Sequence, residues 1–279
     1  MRQVIVVGCG LGGLSAAHTL LEQGVKVCVI DKSGLYSKAC SSMSGSPWRV
    51  QRSPKDTPQP SNEDPKRGHF NLVKLLCEGA APAIDWIVDA FGVDLRLVSR
   101  LDGLHVVRAL RDADRPGMTI TFGLMEKLKE IAETGDGRVK IHLETRVTRL
   151  LTDKVGNVCG CECVDQKGKV FQERGPVILG TGGFGNDFAA GTLLNKYGPD
   201  LDPKKSLEMS MVGIEWVDLD WVQLHPTGLV HPDEPDAEVK FLAADILRGV
   251  GGILLDMKGQ RFCNELGRRE YITGMMWKN

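Results

Sequence analysis

Three glycines, Gly8, Gly10 and Gly13, stand as G-x-G-x-x-G, and the acid Asp31 follows about 20 residues later. That spacing suits a nucleotide diphosphate. The first glycine permits a tight turn, the second lets the backbone approach the phosphates, and the third lets a helix pack closely on a sheet. The free N–H groups and partial positive charge at the start of that helix attract the anion. Asp31 can accept hydrogen bonds from a ribose 2′-hydroxyl. A second concentration of ionisable residues lies near the end of the chain, where Arg248, Arg261, Arg268 and Arg269 share a region with Asp245, Glu265 and Glu270. From the residues alone this is a solvated face with surface ion pairs, each worth about 0–1 kcal/mol.

The glycines need a strand before them and a helix after them, and the chain supplies both. Val4 to Val7 is a short apolar run, as expected of a strand buried on both faces of a parallel sheet. Ala16, Ala17, Leu20 and Leu21 give the helix an apolar stripe, Gly24 stops it, and Val25 to Ile30 forms a second strand ending at Asp31. Pro176 to Leu179 is another buried strand, followed by Gly180-Thr181-Gly182-Gly183-Phe184-Gly185. A second close backbone approach beside a second strand favours an extended FAD over NAD.

The rest of the chain bounds the function. With 279 residues there is material for one large domain or two smaller ones. A formal net charge of −1 gives no basic footprint for nucleic acid. Met1 leads almost directly into the first strand, leaving no room for a signal peptide, and no apolar run is long enough to span a bilayer. The eight cysteines are scattered, with no disulfide framework, so a soluble protein of the cytoplasm or an organelle matrix is expected. Cys159, Cys161 and Cys163 alternate on a strand and share a face there, which favours packing over a metal cluster. Phe70 to Phe91 has helical spacing and is expected to break into two helices at Gly79-Ala80-Ala81-Pro82. Strands are expected within Leu95 to Leu110, over Val139 to Leu151, Asn157 to Asp165 and Lys169 to Glu173, with a helix over Thr121 to Ala132. Leu254 to Phe262 reads as a hairpin turning at Lys258-Gly259. The fold class is α/β: a Rossmann-like dinucleotide-binding domain around a central parallel sheet over 1–220, with part of an α+β capping domain over 221–279.

Four stretches together carry a family resemblance: VIVVGCGLGGLSAAHTLLEQG, GTGGFG, VQLHPTGLVHP and FLAADILRGVGGILLDMKGQRFCNELGRREYITG. The chain resembles the flavoprotein of soluble fumarate reductases, of the flavocytochrome c and NADH-dependent type. The resemblance implies FAD held at Gly8, Gly10, Gly12, Gly13, Asp31, Lys32, Val147, Thr181, Gly182 and Gly183. It implies reduction of fumarate to succinate, with Arg269 as proton donor, Asp245 and Arg248 as its relay, and His225 and Thr227 binding substrate. The electron donor implied is NADH, acting through another module. Fumarate is a dianion and needs several cations or donors around it. Arginine is a poor acid, so its proton must be restored by a carboxylate–arginine chain. Most relatives have Glu where Asp245 stands, which shortens that chain by a methylene.

Other readings of these residues stay open. His225 also suits a capped turn before Pro226, and Arg269 a surface position beside Arg268. The segment Gly34 to Cys40 holds only part of the family's flavin-side pattern and lacks histidine, so non-covalent FAD is expected. Between Asp202 and Asp218 the family's Thr-Gly-Asp-Gly turn is missing, and the chain stops soon after Arg269. An incomplete or internally deleted member, binding FAD weakly and turning over little, is therefore expected. The alternatives are a succinate- or aspartate-oxidising relative and a non-catalytic FAD- or nucleotide-binding remnant.

Overall fold

The computed structural model describes residues 3–34, 48–49, 70–95, 97–99, 109–111, 118–184, 193–197, 226–235, 241–243 and 246–279. Along the chain these form β1 (Gln3–Val7), α1 (Leu11–Glu22), β2 (Lys26–Ile30), β3 (Trp48–Arg49), α2 (Phe70–Phe91), β4 (Leu97–Ser99), β5 (Ala109–Arg111) and α3 (Met118–Glu133). There follow β6 (Val139–His142), β7 (Arg146–Thr152), β8 (Val158–Val164), β9 (Val170–Arg174), β10 (Val177–Leu179), α4 (Leu193–Tyr197), β11 (Gly228–Leu229), β12 (Phe241–Leu242), α5 (Ile246–Gly249) and α6 (Arg269–Lys278). The chain divides into two compact units, 1–43 with 120–222 and 44–119 with 223–279. Both are discontinuous in sequence, unlike a linear division near residue 220.

The first unit is built on a four-stranded parallel sheet in the order β10-β1-β2-β6. The apolar run of β1 needs two covers, and it has them. Ile5 and Val7, with Cys28 and Ile30 of β2, meet Cys161 and Cys163 of β8 in one core cluster, joined by Val147, Leu150 and Phe171. Those last residues belong to an antiparallel sheet, β7-β8-β9. On the other side Val6 lies under α1, whose Leu14, Ala17 and Leu21 are buried. Each leucine so removed from water stabilises the unit by about 1.5–3 kcal/mol. His18 of α1 is buried and donates from Nε2 to the Leu124 carbonyl of α3 (2.7 Å). Burial holds its pKa below the ordinary imidazole value, which suits a neutral ring in that position.

Three cysteines take part in this packing. Cys161 and Cys163 point to the same buried face of β8, with sulfurs 3.6 Å apart. Burial pushes the Cys28 thiol up to about 12, so it packs there as a neutral side chain.

Two elements differ from the sequence expectation. The run Val139 to Leu151 is not one strand but β6 and β7, which belong to different sheets. The bend between them includes Glu144, the non-glycine residue with positive φ among those described (φ 51°). Phe70 to Phe91 is one helix with Pro82 inside it, not two. A proline inside a helix costs about 3 kcal/mol. Burial of Ile84 and Ile87, at about 1.5–3 kcal/mol each, offsets that and keeps the helix continuous. The second unit also contains β3-β5-β4 and the pair β11-β12. Among the described residues no helix is long and apolar enough to cross a membrane.

The seat of α1 on the sheet yields a paired prediction. A Cβ at Gly13 would overlap the Gly8 carbonyl oxygen, whereas one at Gly12 meets nothing within 4 Å. Alanine improves helix propensity by about 1 kcal/mol, and overpacking costs about 1–3 kcal/mol. Urea unfolding followed by circular dichroism should show Gly12→Ala neutral or slightly stabilising and Gly13→Ala destabilising, by roughly 2 kcal/mol.

Candidate functional site

The sheet order fixes where a ligand can bind in the first unit. β1 has β2 on one side and β10 on the other, so the chain builds outward from β1 through β2 to β6 and later returns to the opposite side of β1 as β10. In open parallel sheets the crevice at such a switch point, beyond the carboxyl ends of the strands, receives the ligand. Both glycine turns open there.

Gly8 follows β1 with φ +107°, a conformation that side chains resist. Its N–H donates to Ile30 O (2.8 Å), tying the first turn to the end of β2. Gly180 N–H donates to Val7 O (2.8 Å), tying the second turn to the end of β1. The turns touch. A Cβ on Gly180 would lie 2.7 Å from Gly13 Cα, and one on Gly8 would come within 2.7 Å of the Gly180 carbonyl carbon. By contrast the space over Gly10, Gly12, Gly182 and Gly183 is open, and Thr181, Gly182 and Gly183 are exposed.

Helix α1 begins at Gly10 with no side-chain cap. The first turn of a helix has N–H groups without intrahelical partners, and a diphosphate can take them. Glycines pressed together beneath an open, uncapped helix start fit the diphosphate of FAD.

Asp31 marks the other end of this cradle. Its Oδ2 accepts the Cys9 N–H (2.6 Å) and its Oδ1 the Ser33 N–H (2.8 Å). Each oxygen has a second lone pair, so a ribose hydroxyl remains within its capacity. Thr145 N–H donates to Asp31 O (2.8 Å) and Glu144 N–H to Ser33 O (3.1 Å). These bonds bring the start of β7, and hence Val147, to the loop carrying Asp31 and Lys32. The structure therefore gathers Gly8, Gly10, Gly12, Gly13, Asp31, Lys32, Thr181, Gly182 and Gly183 at one sheet end, with Val147 on the adjoining strand. Glu144 and Thr145 are not legible in the sequence, whereas Gly180 is, as the opening residue of the second glycine turn. Glu144 and Thr145 act through backbone bonds that leave no mark on residue type.

The second unit holds the arginine region, of which His225 and Asp245 lie outside the described residues. Thr227 Oγ1 donates to Ala243 O (3.0 Å), and Ala243 N–H returns a bond to Thr227 O (3.2 Å). Arg248 of α5 is 5% exposed, and its Nη1 donates to Glu265 O (3.4 Å). Arg269 is the first residue of α6 and is half-buried. The expected hairpin at Lys258-Gly259 is present as a bridge between Leu255 and Arg261. Its base is clamped by Glu265, a buried carboxylate that accepts Leu254 N–H (2.9 Å) and a fork from Arg261 Nε and Nη2 (2.6 Å at the nearest). The Arg261 fork, working against burial, holds the Glu265 carboxyl down to about 2 from an ordinary 4.5.

Residues 3–279 match the FAD binding domain family. The chain belongs to that family, and its cofactor is FAD. It is similar to a fumarate reductase of Schizosaccharomyces pombe, at 35% identity over 99% of this chain and 59% of that protein. It is also similar to fumarate reductase 1 of Saccharomyces cerevisiae, at 32% identity over 100% of this chain and 64% of that protein. The chain thus spans about three fifths of the length of these relatives. Its fold matches the open conformation of a flavocytochrome c3 fumarate reductase, with TM-score 0.72, 23% identity, and coverage of 100% of this chain and 51% of that one.

Two predictions follow from the site geometry. Asp31→Ala should weaken FAD binding about 10- to 100-fold, because a charged hydrogen bond is worth about 1.5–3 kcal/mol; titration against flavin fluorescence measures this. Glu265 has a depressed folded pKa, so the stability it confers is complete above 4.5 and lost as pH falls through about 2. Acid unfolding curves should therefore show a shallower loss of stability below pH 4.5 in Glu265→Gln than in the parent chain.

Proposed function

We propose that this chain is the FAD-holding part of a fumarate reductase flavoprotein, reducing fumarate to succinate. The first unit carries the non-covalent FAD, and residues 223–279 open the substrate-binding part. When bound, FAD supplies the hydride for such a reduction. The chain's own residues supply the proton and hold the dianion. Arg269 delivers a proton from its guanidinium, Asp245 and Arg248 restore it, and His225 and Thr227 hold a substrate carboxylate. NADH, acting through another module, is the proposed source of electrons.

One observation carries the reading of the arginines. A solvated face would leave Arg248 in water, yet this guanidinium is 5% exposed and bonded to main chain four residues before Arg269. Burying a cation is costly unless it is paired and hydrogen-bonded. A buried arginine set against the turn that leads to another arginine supports a relay, since an acid with a pKa above 12 needs its proton returned by a neighbour. The similarity to two yeast fumarate reductases over nearly the whole chain supports the same assignment.

Oxidation of a reduced dye by fumarate tests the proposal on the FAD-loaded chain. Fumarate-dependent oxidation is expected, slowed about 10²- to 10⁴-fold by Arg269→Ala with FAD content unchanged. Flavin that stays bound but is never reoxidised by fumarate would assign the chain to a non-catalytic role. Unchanged rates in Arg269→Ala would remove that residue from the chemistry. Faster reduction of the flavin by succinate or aspartate than reoxidation by fumarate would reassign the substrate.

A further inference from the structure

Away from the glycine turns, among the described residues, three ligating side chains of different chemistry converge from three strands. They are Cys28 of β2, His142 of β6 and Glu173 of β9, whose ligating atoms all lie within 4.8 Å of one another. Cys28 is wholly buried, Glu173 is 7% exposed, and the His142 side chain is 23% exposed, so the group opens to solvent along one edge. His142 Nε2 and Glu173 Oε1 already face each other at 3.0 Å. The second carboxylate oxygen of Glu173 accepts Gln3 Nε2 (2.9 Å), which fixes the direction of the first.

From this geometry we propose a binding site for a divalent transition-metal cation of the zinc class at Cys28, His142 and Glu173. Sulfur, imidazole nitrogen and carboxylate oxygen together form a donor set for zinc and disfavour the oxygen-seeking magnesium and calcium, the neutral Cys28 thiol releasing its proton to solvent as the metal binds. Bonds of about 2.0–2.3 Å in a tetrahedral arrangement place ligand atoms roughly 3.3–3.8 Å apart. Small side-chain movements reach that spacing from the one observed. The fourth position faces the open edge beside His142 and takes water. Gln3 is then the outer partner that orients the Glu173 carboxylate, as such partners do in metal sites.

The cluster already holds a cation of another kind. Lys140 Nζ lies 2.5 Å from Glu173 Oε1, the same oxygen that faces His142, and its side chain is 53% exposed. Lys140 is tethered only at its tip and can swing into solvent as the metal enters. It acts as a competitor for the site. The bound cation would join β2, β6 and β9, and β2 and β6 lead directly to the Asp31 and Thr145 corner of the nucleotide cradle. The proposal is independent of the reaction assigned above.

Cobalt(II) is the probe for the test, added to the metal-stripped full chain and displaced afterwards by zinc. One cobalt per chain is expected, with a thiolate-to-metal charge-transfer band and the intense visible bands of a four-coordinate ion. Lys140→Met should bind about tenfold more tightly, since it removes a competing charge from contact with Glu173, and His142→Ala about tenfold or more weakly. Cys28→Ser should lose the thiolate band, whereas Cys161→Ser/Cys163→Ser should keep it. Circular dichroism verifies folding, and if Cys28→Ser does not fold, the opposite signs at Lys140 and His142 decide the matter. Absence of a stoichiometric thiolate band, its persistence in a folded Cys28→Ser chain, its loss in the Cys161→Ser/Cys163→Ser chain, or equal affinities in Lys140→Met and the parent would overturn the proposal.

Discussion

The contact on which the nucleotide site depends is backbone against backbone, where Gly8, Gly13 and Gly180 come together. Helix α1 can lie on the sheet only because Gly13 has no side chain to strike the Gly8 carbonyl. The turn after β10 can lie beside it only because Gly180 has none to strike Gly13. Interiors are packed as densely as organic crystals, so one methyl group at either place has nowhere to go. The result is a floor of peptide groups at the carboxyl ends of β1 and β10, with the N-terminus of α1 aimed across it. A negatively charged diphosphate meets donors there that carry no side-chain entropy to lose.

Asp31 sits where local and long-range constraints meet. Its carboxylate holds the first glycine turn through Cys9, while its backbone holds the bend before β7 through Thr145. Phosphate and ribose contacts thus share one rigid corner. In the second unit Glu265 has a comparable part. Its carboxylate gathers Arg261 and Leu254, and its carbonyl meets Arg248. An ionised side chain buried this way is tolerable because nearly all its acceptor capacity is used. The turn that enters α6 at Arg269 is closed by the adjacent Asn264, which accepts from Gly267 N–H through its carbonyl and from Leu266 N–H through its side chain.

Much of the first unit was legible in the residues. The strand, glycines, helix and second strand from β1 to β2 follow from local pattern, and the glycine-rich turn after β10 was recognisable for the same reason. Local pattern failed where the cause is tertiary. Val139 to Leu151 is apolar enough to read as one strand, but hydrogen bonds from Glu144 and Thr145 to Ser33 and Asp31 fold it in two. Pro82 signals a helix break, yet burial of Ile84 and Ile87 in the following turns outweighs it. Arg248 had the composition of a surface residue and is buried. Glu265 could be placed in the charged region but not assigned its clamp, because that depends on which carboxylate faces inward. His225 and Asp245 fall outside the described residues, so their roles rest on the motif alone.

The central claim is that the joined glycine turns seat the diphosphate of FAD against the start of α1. Amide hydrogen exchange of the chain with and without FAD tests it at the backbone itself. The account predicts new protection at residues 10–14 and at Thr181, Gly182 and Gly183 when FAD is added. Exchange unchanged at those amides while FAD is demonstrably bound would contradict it and place the cofactor elsewhere.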